Sequence, residues 1–173
     1  MSIKFIGYSS TPGDVVSNQG STFTYGESLN ASKMPLFSAT SGTAIEVLEK
    51  FIHLENIQMT GYEKGIMVHS SASYFSAKNL IITQLGNQHD FDSYSGWGID
   101  LRGENSTIQD CFVLNASAEG IKVSGADNSL VSYTSVYADN SQNPTDYYFF
   151  LAGGTDNTIV ENCRAERKSG LEH

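Results

Sequence analysis

The chain of 173 residues is acidic, with a formal net charge of −9 at pH 7 and an isoelectric point near 4.7. That charge argues against nucleic acid or an anionic membrane as a partner, since both are polyanions. The composition, 39% hydrophobic and 17% charged, suits one folded domain without an apolar run of membrane-spanning length, and the first residues lack the pattern of a signal peptide.

Residues 1–43 differ in composition from the rest of the chain. They begin with a strand-like segment, Ile3-Lys4-Phe5-Ile6, and continue into a stretch rich in Ser, Thr and Gly. Such a stretch is typical of loops. We expect an irregular N-terminal coil with a long loop that covers the N-terminal end of the core. At the other end, residues 171–173 match the start of a histidine tag and carry no information about the fold.

Residues 44–168 contain a recurring phrase of glycine followed by alternating apolar residues. It occurs as Gly65-Ile66-Met67-Val68, Gly98-Ile99-Asp100-Leu101 and Gly120-Ile121-Lys122-Val123, with a weaker copy at Phe149-Phe150-Leu151-Ala152. Alternation with period two predicts strands with one buried face. The copies are too closely spaced for a strand, a crossover helix and loops in every repeat. The sequence therefore predicts an all-β parallel β-helix of about five coils, beginning near Ala44, Gly65, Gly98, Gly120 and Phe149.

Aligning the repeats predicts columns of like residues inside the coil, because each coil must bury its apolar face against its neighbours. The first strands give the columns Ile45, Ile66, Ile99, Ile121, Phe150 and Val47, Val68, Leu101, Val123, Ala152, and the second strands give Ile52, Phe75, Ile108, Leu130, Ile159. The third strands give Ile57, Leu80, Cys111, Thr134, Cys163 beside Met59, Ile82, Val113, Val136, Ala165. The two cysteines would then be roughly 10 Å apart, too far for a disulfide.

Three features together resemble a known group of proteins. They are the repeat Gly-Ile-x-Val-x-Gly-x-x-Asn-x-Ile, the segment Ile52-His53-Leu54-Glu55-Asn56-Ile57, and the lead-in Ile3-Lys4-Phe5-Ile6-Gly7-Tyr8 with Thr11-Pro12-Gly13-Asp14. These are similar to right-handed parallel β-helix proteins of the pectate-lyase-like superfamily. The resemblance covers about residues 1–168 and implies a right-handed coil and an extracellular or cell-surface location. That superfamily includes polysaccharide lyases, glycoside hydrolases, uronate epimerases, phage tailspikes and proteins with no known catalysis.

The outward positions of the first strands gather groups that can move protons. One row contains Glu46, Met67, Asp100, Lys122 and Leu151, and the next contains Leu48, His69, Arg102, Ser124 and Gly153. In an eliminative cleavage of a uronic-acid polymer, Lys122 or His69 would be the base, and Arg102 would hold the substrate carboxylate. The alternative for Asp100 and Lys122 is a plain ion pair between adjacent strands.

Two long links, at residues 86–97 and 139–148, are predicted to leave the same corner on alternate coils and to form the walls of a groove. Aromatic residues in these links can pack on sugar rings, and carboxylates can bind a hard cation such as Ca²⁺. The alternative is that the aromatics only fix the loops and the acids are solvated. The sugar-binding candidates are Trp97, Tyr94, Tyr147 and Tyr148, and the metal-binding candidates are Asp90 and Asp92.

Two functions therefore remain open. The first is a polysaccharide-active enzyme, either a lyase acting on a uronic-acid polymer or a hydrolase working with Asp100 and a loop carboxylate. The second is a non-catalytic module that presents loops to a glycan on a cell-surface or phage-associated protein. Nothing after Glu166 resembles a C-terminal cap. Because an uncapped end exposes strand edges, we also expect end-to-end or side-by-side self-association.

Overall fold

The computed structural model describes residues 2–15, 19–86, 96–139 and 145–168. Within them the fold is all-β with nearly no helix, and no helix there has the length and apolar character needed for a membrane span. The elements are β1 (Ile3–Ile6), α1 (Gln19–Thr22), β2 (Leu36–Ser38), β3 (Thr43–Val47), β4 (Ile52–Thr60), β5 (Lys64–Val68), β6 (Ser76–Leu85), β7 (Ile99–Leu101), β8 (Thr107–Gln109), β9 (Phe112–Ala116), β10 (Glu119–Ser124), β11 (Leu130–Ser132), β12 (Ser135–Ala138), β13 (Tyr147–Ala152), β14 (Ile159–Glu161) and β15 (Arg164–Arg167).

The strands pair in parallel in two sheets. The five-stranded sheet has the order β13-β10-β7-β5-β3, and the ten-stranded sheet follows β14-β11-β8-β6-β9-β12-β15, with β4 pairing with β1, β2 and β6. The larger sheet curls into a half-barrel. In both sheets each strand pairs with the corresponding strand of the next repeat, so the predicted all-β architecture with parallel strands is confirmed.

The first inner column follows the prediction over four repeats and departs from it in the fifth. Ile66 pairs with Ile99 and Ile45, and Ile99 pairs with Ile121. In the last repeat Phe149, not Phe150, pairs with Ile121, and likewise Leu151, not Ala152, pairs with Val123. The predicted register was therefore wrong by one residue in β13. The segment Phe149-Phe150-Leu151-Ala152 is apolar throughout and lacks the leading glycine, so alternation did not define its inward face.

The second strands of the repeats are the first halves of β4 and β6 and the strands β8, β11 and β14. Their column was also predicted in the wrong register. Ile108 pairs with Ala77 and Val131, whereas Leu130 pairs with Thr107. Two of these strands, β11 and β14, have two adjacent apolar residues, and the repeat alignment selected the outer one. Ile159 of the predicted column is exposed. The observed column contains Leu54, Ala77, Ile108, Val131 and Val160.

The third strands of the repeats are the second halves of β4 and β6 and the strands β9, β12 and β15. Their column was predicted correctly. Its register aligns Met59, Ile82, Val113, Val136 and Ala165. The neighbouring column contains both cysteines, and both are free thiols, as predicted. Cys111 is buried and Cys163 partly buried, so packing rather than covalent bonding holds these strands together.

The glycine of the repeated phrase has a packing reason. A Cβ on Gly98 would overlap the carbonyl oxygen of Gly120 and lie 2.7 Å from Cγ1 of Val113. The equivalent atom on Gly65 would approach Gly98 and Ile82 in the same way. At this corner the five-stranded sheet therefore lies directly against the third strands of the other sheet, and a side chain has no room.

Left-handed backbone recurs at two corners of successive repeats, which lie between strands or, at Asn56 and Asn79, within the long strands β4 and β6. Asparagine tolerates this conformation better than most residues. In the second corner Asn79 Nδ2 donates to Asn56 Oδ1 of the preceding repeat over 2.6 Å. Positive φ values occur at Phe51, Tyr74, Asn105, Asn128 and Asn157 in the first corner, and at Asn56, Asn79, Asp110, Tyr133 and Asn162 in the second.

The N-terminal segment forms an incomplete repeat, because β1 and β2 both pair with β4. Its long connection packs on the outer face of the ten-stranded sheet, where the rings of Phe23 and Phe112 lie 5.0 Å apart. The described part of this connection therefore lies on the outer face of the sheet and not over the N-terminal end of the core. An open apolar cavity of about 450 Å³ remains there, lined in part by Phe5, Phe37 and Leu48.

Candidate functional site

The outward surface of the five-stranded sheet holds most of the predicted site residues that the structure describes. Where each strand begins, the residue before the corner glycine points away from the core, and Lys64, Trp97 and Glu119 occupy this position on successive strands. Three residues further on, Asp100 pairs with Lys122, which pairs with Phe150. We call the following set the Trp97 patch: Lys64, Trp97, Asp100, Arg102, Glu119, Lys122, Tyr147 and Phe150.

Arg102 is bound to Asp100. The Asp100 side chain is fully buried, and its Oδ2 accepts hydrogen bonds from Arg102 Nη2 at 2.6 Å and Nε at 3.0 Å. The pKa of Arg102 is raised, chiefly by its hydrogen bond to Asp100. Two of the five guanidinium N–H groups are thus used on Asp100, and the others stay available because the Arg102 side chain is 42% exposed.

Lys122 contacts a different carboxylate from the predicted one. It is the register neighbour of Asp100, but its Nζ lies 3.7 Å from Glu119 Oε1. The same ammonium is 4.8 Å from the centre of the Trp97 ring. The alternative of an Asp100–Lys122 ion pair is thus replaced by two pairs, Asp100 with Arg102 and Glu119 with Lys122.

Trp97 is placed between two lysines from the neighbouring strands. Lys64 Nζ lies 5.2 Å from the ring centre, on the side of β5, and Lys122 approaches from β10. Cation–π contacts of this kind contribute about 0.5–1 kcal/mol at exposed sites. The indole ring is therefore already in contact with cations, and a sugar ring would have to displace one of them to stack on it.

The two adjacent tyrosines of β13 face opposite ways. Tyr147 is 53% exposed, and its ring lies 4.9 Å from that of Phe150. Tyr148 instead packs against the buried core, and burial raises the pKa of its hydroxyl. Tyr147 thus remains available to a ligand, whereas Tyr148 occupies the inward position that glycine holds in the preceding repeats.

His69 belongs to a different pair. Its Nε2 lies 2.7 Å from Glu46 Oε1 on β3. Within the described residues its only ion-pair partner is Glu46, so the structure does not assemble it with Lys122 as a second proton-transfer group.

The remaining predicted site residues, Tyr94, Asp90 and Asp92, lie outside the described residues, as do most of the two predicted groove walls. In the part of the chain that is described, no cluster of three or more His, Cys, Asp or Glu side chains is arranged to hold a metal ion.

Lys64 and Glu119 were not among the residues predicted from the sequence. The signal was present, because each directly precedes a corner glycine, as Trp97 does. The three side chains share one surface, because Lys64 and Lys122 contact the Trp97 ring and Lys122 also contacts Glu119.

Several buried polar atoms near this surface lack a hydrogen-bond partner among the described residues. A buried unsatisfied group costs about 1–3 kcal/mol, so such atoms are uncommon in native structures. They are Trp97 Nε1, Asp100 Oδ1, Glu119 Oε2 and Thr145 Oγ1. The first three belong to the Trp97 patch, and two of them are carboxylate oxygens, which can only accept.

Comparisons of the chain with protein-family models, with curated proteins and with solved structures found no match.

Proposed function

We propose that the protein is a right-handed parallel β-helix of the pectate-lyase-like type that acts as a non-catalytic glycan-binding module at a cell surface or on a phage-associated protein. The parallel register between successive repeats and the corner glycines support the architecture. The observation that carries the function is the Trp97 patch, which joins aromatic rings and charged groups on one outward surface.

The chemistry of the patch suits a sugar chain. Exposed Tyr147 and partly buried Phe150 form an aromatic pair that can pack on the apolar face of a sugar ring. Lys64, Asp100 and Glu119 supply polar atoms beside it. From β5 to β13 the patch crosses three strand spacings, about 14 Å, enough for an extended ligand rather than a single small molecule.

Binding is favoured over catalysis because the proton-transfer candidates already have partners. Lys122 is paired with Glu119, and His69 is paired with Glu46. A general base must be within hydrogen-bond reach of the proton that it removes, and each of these side chains would first have to leave its partner.

Binding is tested with a panel of immobilised glycans followed by isothermal titration calorimetry. Tyr147→Ala should weaken binding of any glycan found, by roughly 5- to 100-fold, which corresponds to the loss of an exposed aromatic contact. Tyr8→Ala is the matched control, because Tyr8 is 47% exposed and lies at the N-terminal end. Equal affinity of Tyr147→Ala and the unmodified protein would contradict the proposal.

A lyase is the second candidate, favoured by one observation. Arg102 and Lys122 lie on neighbouring strands on either side of buried Asp100, which places a cation for a substrate carboxylate near an amine. The test incubates pectate, alginate and glycosaminoglycans with the protein and Ca²⁺ and follows the absorbance of unsaturated products. Activity that falls 10²- to 10⁴-fold in Lys122→Ala would establish this candidate, and the absence of any eliminative activity would remove it.

We also propose that the chain associates end to end. Phe5 and Leu48 are exposed beside the open apolar cavity at the N-terminal end, and the described residues provide no further strand to pair with the outer edge of β3. Unpaired edges of this kind favour association.

A further inference from the structure

We infer that the Trp97 patch takes a neutral, hydroxyl-rich sugar, which donates hydrogen bonds to carboxylate oxygens of Asp100 and Glu119. This inference rests on the proposed glycan-binding function and specifies its ligand class. It departs from the uronic-acid polymer that the family resemblance implies.

The unsatisfied atoms define what a ligand must supply. Asp100 Oδ1 and Glu119 Oε2 are buried and have no hydrogen-bond partner among the described residues. Both are carboxylate oxygens, so each needs a donor. Trp97 Nε1 lies in the same patch and is a buried donor without an acceptor. A sugar hydroxyl can donate and accept, and thus satisfies either kind of atom.

The two carboxylates oppose an acidic group placed at their unsatisfied oxygens. Arg102 and Lys122 are already paired with Asp100 and Glu119, and the third cation of the patch, Lys64, lies against the Trp97 ring instead. A uronate or sulfate group would bring a further negative charge and no donor for the two unsatisfied oxygens. Like charges brought together in a partly buried site repel strongly. A hydroxyl group adds no charge and supplies the donor.

Lys122 contacts Glu119, which carries one of these two oxygens. Its ammonium lies over Glu119 and the Trp97 ring, held by one ion pair of 3.7 Å and by ring contacts at 4.8 and 5.7 Å. The lysine side chain has four methylene groups joined by rotatable bonds, and it is 19% exposed. We expect a bound sugar to displace this side chain by rotation about its own bonds, with no change in the strands.

The experiment measures affinity by isothermal titration calorimetry for two series of oligosaccharides of equal length. The neutral series contains glucose, mannose and galactose oligomers, and the acidic series contains galacturonate and mannuronate oligomers. Neutral oligosaccharides should bind at least tenfold more tightly than acidic ones. Glu119→Gln should weaken the neutral ligand roughly 10- to 100-fold, as expected for a hydrogen bond to a charged acceptor. Glu46→Gln is the matched control, since Glu46 is an exposed carboxylate on the same sheet and is paired with His69.

Monodeoxy versions of the bound neutral sugar provide a second measurement on the unmodified protein, independent of whether Glu119→Gln folds. Removal of the one hydroxyl group that donates to Glu119 should lower the affinity by the same factor as Glu119→Gln. Tighter binding of the acidic series, or an unchanged affinity in both Glu119→Gln and every deoxy sugar, would overturn the inference while leaving glycan binding intact. Failure of both series and of the glycan panel to bind would overturn the proposed function itself.

Discussion

Truncation of Ile121 to Ala tests the inner column of the five-stranded sheet. The side chain is 1% exposed and lies between Ile99 and Phe149 in register. The change removes three buried carbons, which is about 2.4 kcal/mol at about 0.8 kcal/mol for each. A residual cavity adds to this, because strands on both sides hold the space open, so we expect a total loss of about 3–4 kcal/mol.

The assay is chemical and thermal denaturation followed by circular dichroism. A loss of this size lowers the midpoint of thermal unfolding by roughly 6–15 °C for a chain of this length. Ile159→Ala makes the same chemical change on β14, where the side chain is 55% exposed, and should cost no more than about 0.5 kcal/mol. Equal destabilisation by the two substitutions would refute the assignment of Ile121 to a buried column.

Three further predictions concern the corner, the thiol and the open end. Gly98→Ala should destabilise the fold by about 1–3 kcal/mol in the same assay, because the added methyl group overlaps the carbonyl oxygen of Gly120; wild-type stability would contradict that packing. Burial raises the pKa of Cys111 from 9.0 to about 12, so the unfolded chain loses this proton first as the pH rises. The free energy of unfolding should therefore fall between about pH 9 and pH 12, and the Cys111 thiol should contribute up to about 1.4 kcal/mol of this loss for each pH unit. Cys111→Ala should make this pH dependence less steep. An identical slope in the variant would show that other groups cause the pH dependence. Phe5→Ser combined with Leu48→Ser should lower the sedimentation coefficient of any assembly without lowering the melting temperature, since both side chains are exposed; unchanged assembly would exclude this end as the contact.

Much of the core was predictable because inward residues repeat. Ile66, Ile99 and Ile121 share one environment in successive repeats, so they share one residue type and can be aligned by eye. The prediction failed where that constraint weakens. In β13 four consecutive apolar residues leave the alternation ambiguous, and in the second strands pairs such as Leu130-Val131 contain two candidates for one inward position.

The site was less predictable, because outward residues obey no repeating constraint. The sequence placed Asp100, Arg102 and Lys122 on one surface, and they do lie together. It did not show that Arg102 would pair with Asp100 or that Lys122 would choose Glu119. Side-chain pairing depends on rotamers and distances of a few ångströms, which strand alternation does not encode.

The sequence by itself determined the strands, their parallel order and most of the inner columns, since hydrophobic period and repeat spacing are local properties of the chain. Only the tertiary structure decided the register of β13, the burial of Asp100 and the contact of Trp97 with Lys64 and Lys122. Lys64, Trp97 and Lys122 are separated by tens of residues in the chain. They meet because parallel pairing brings successive repeats to about 4.8 Å from one another.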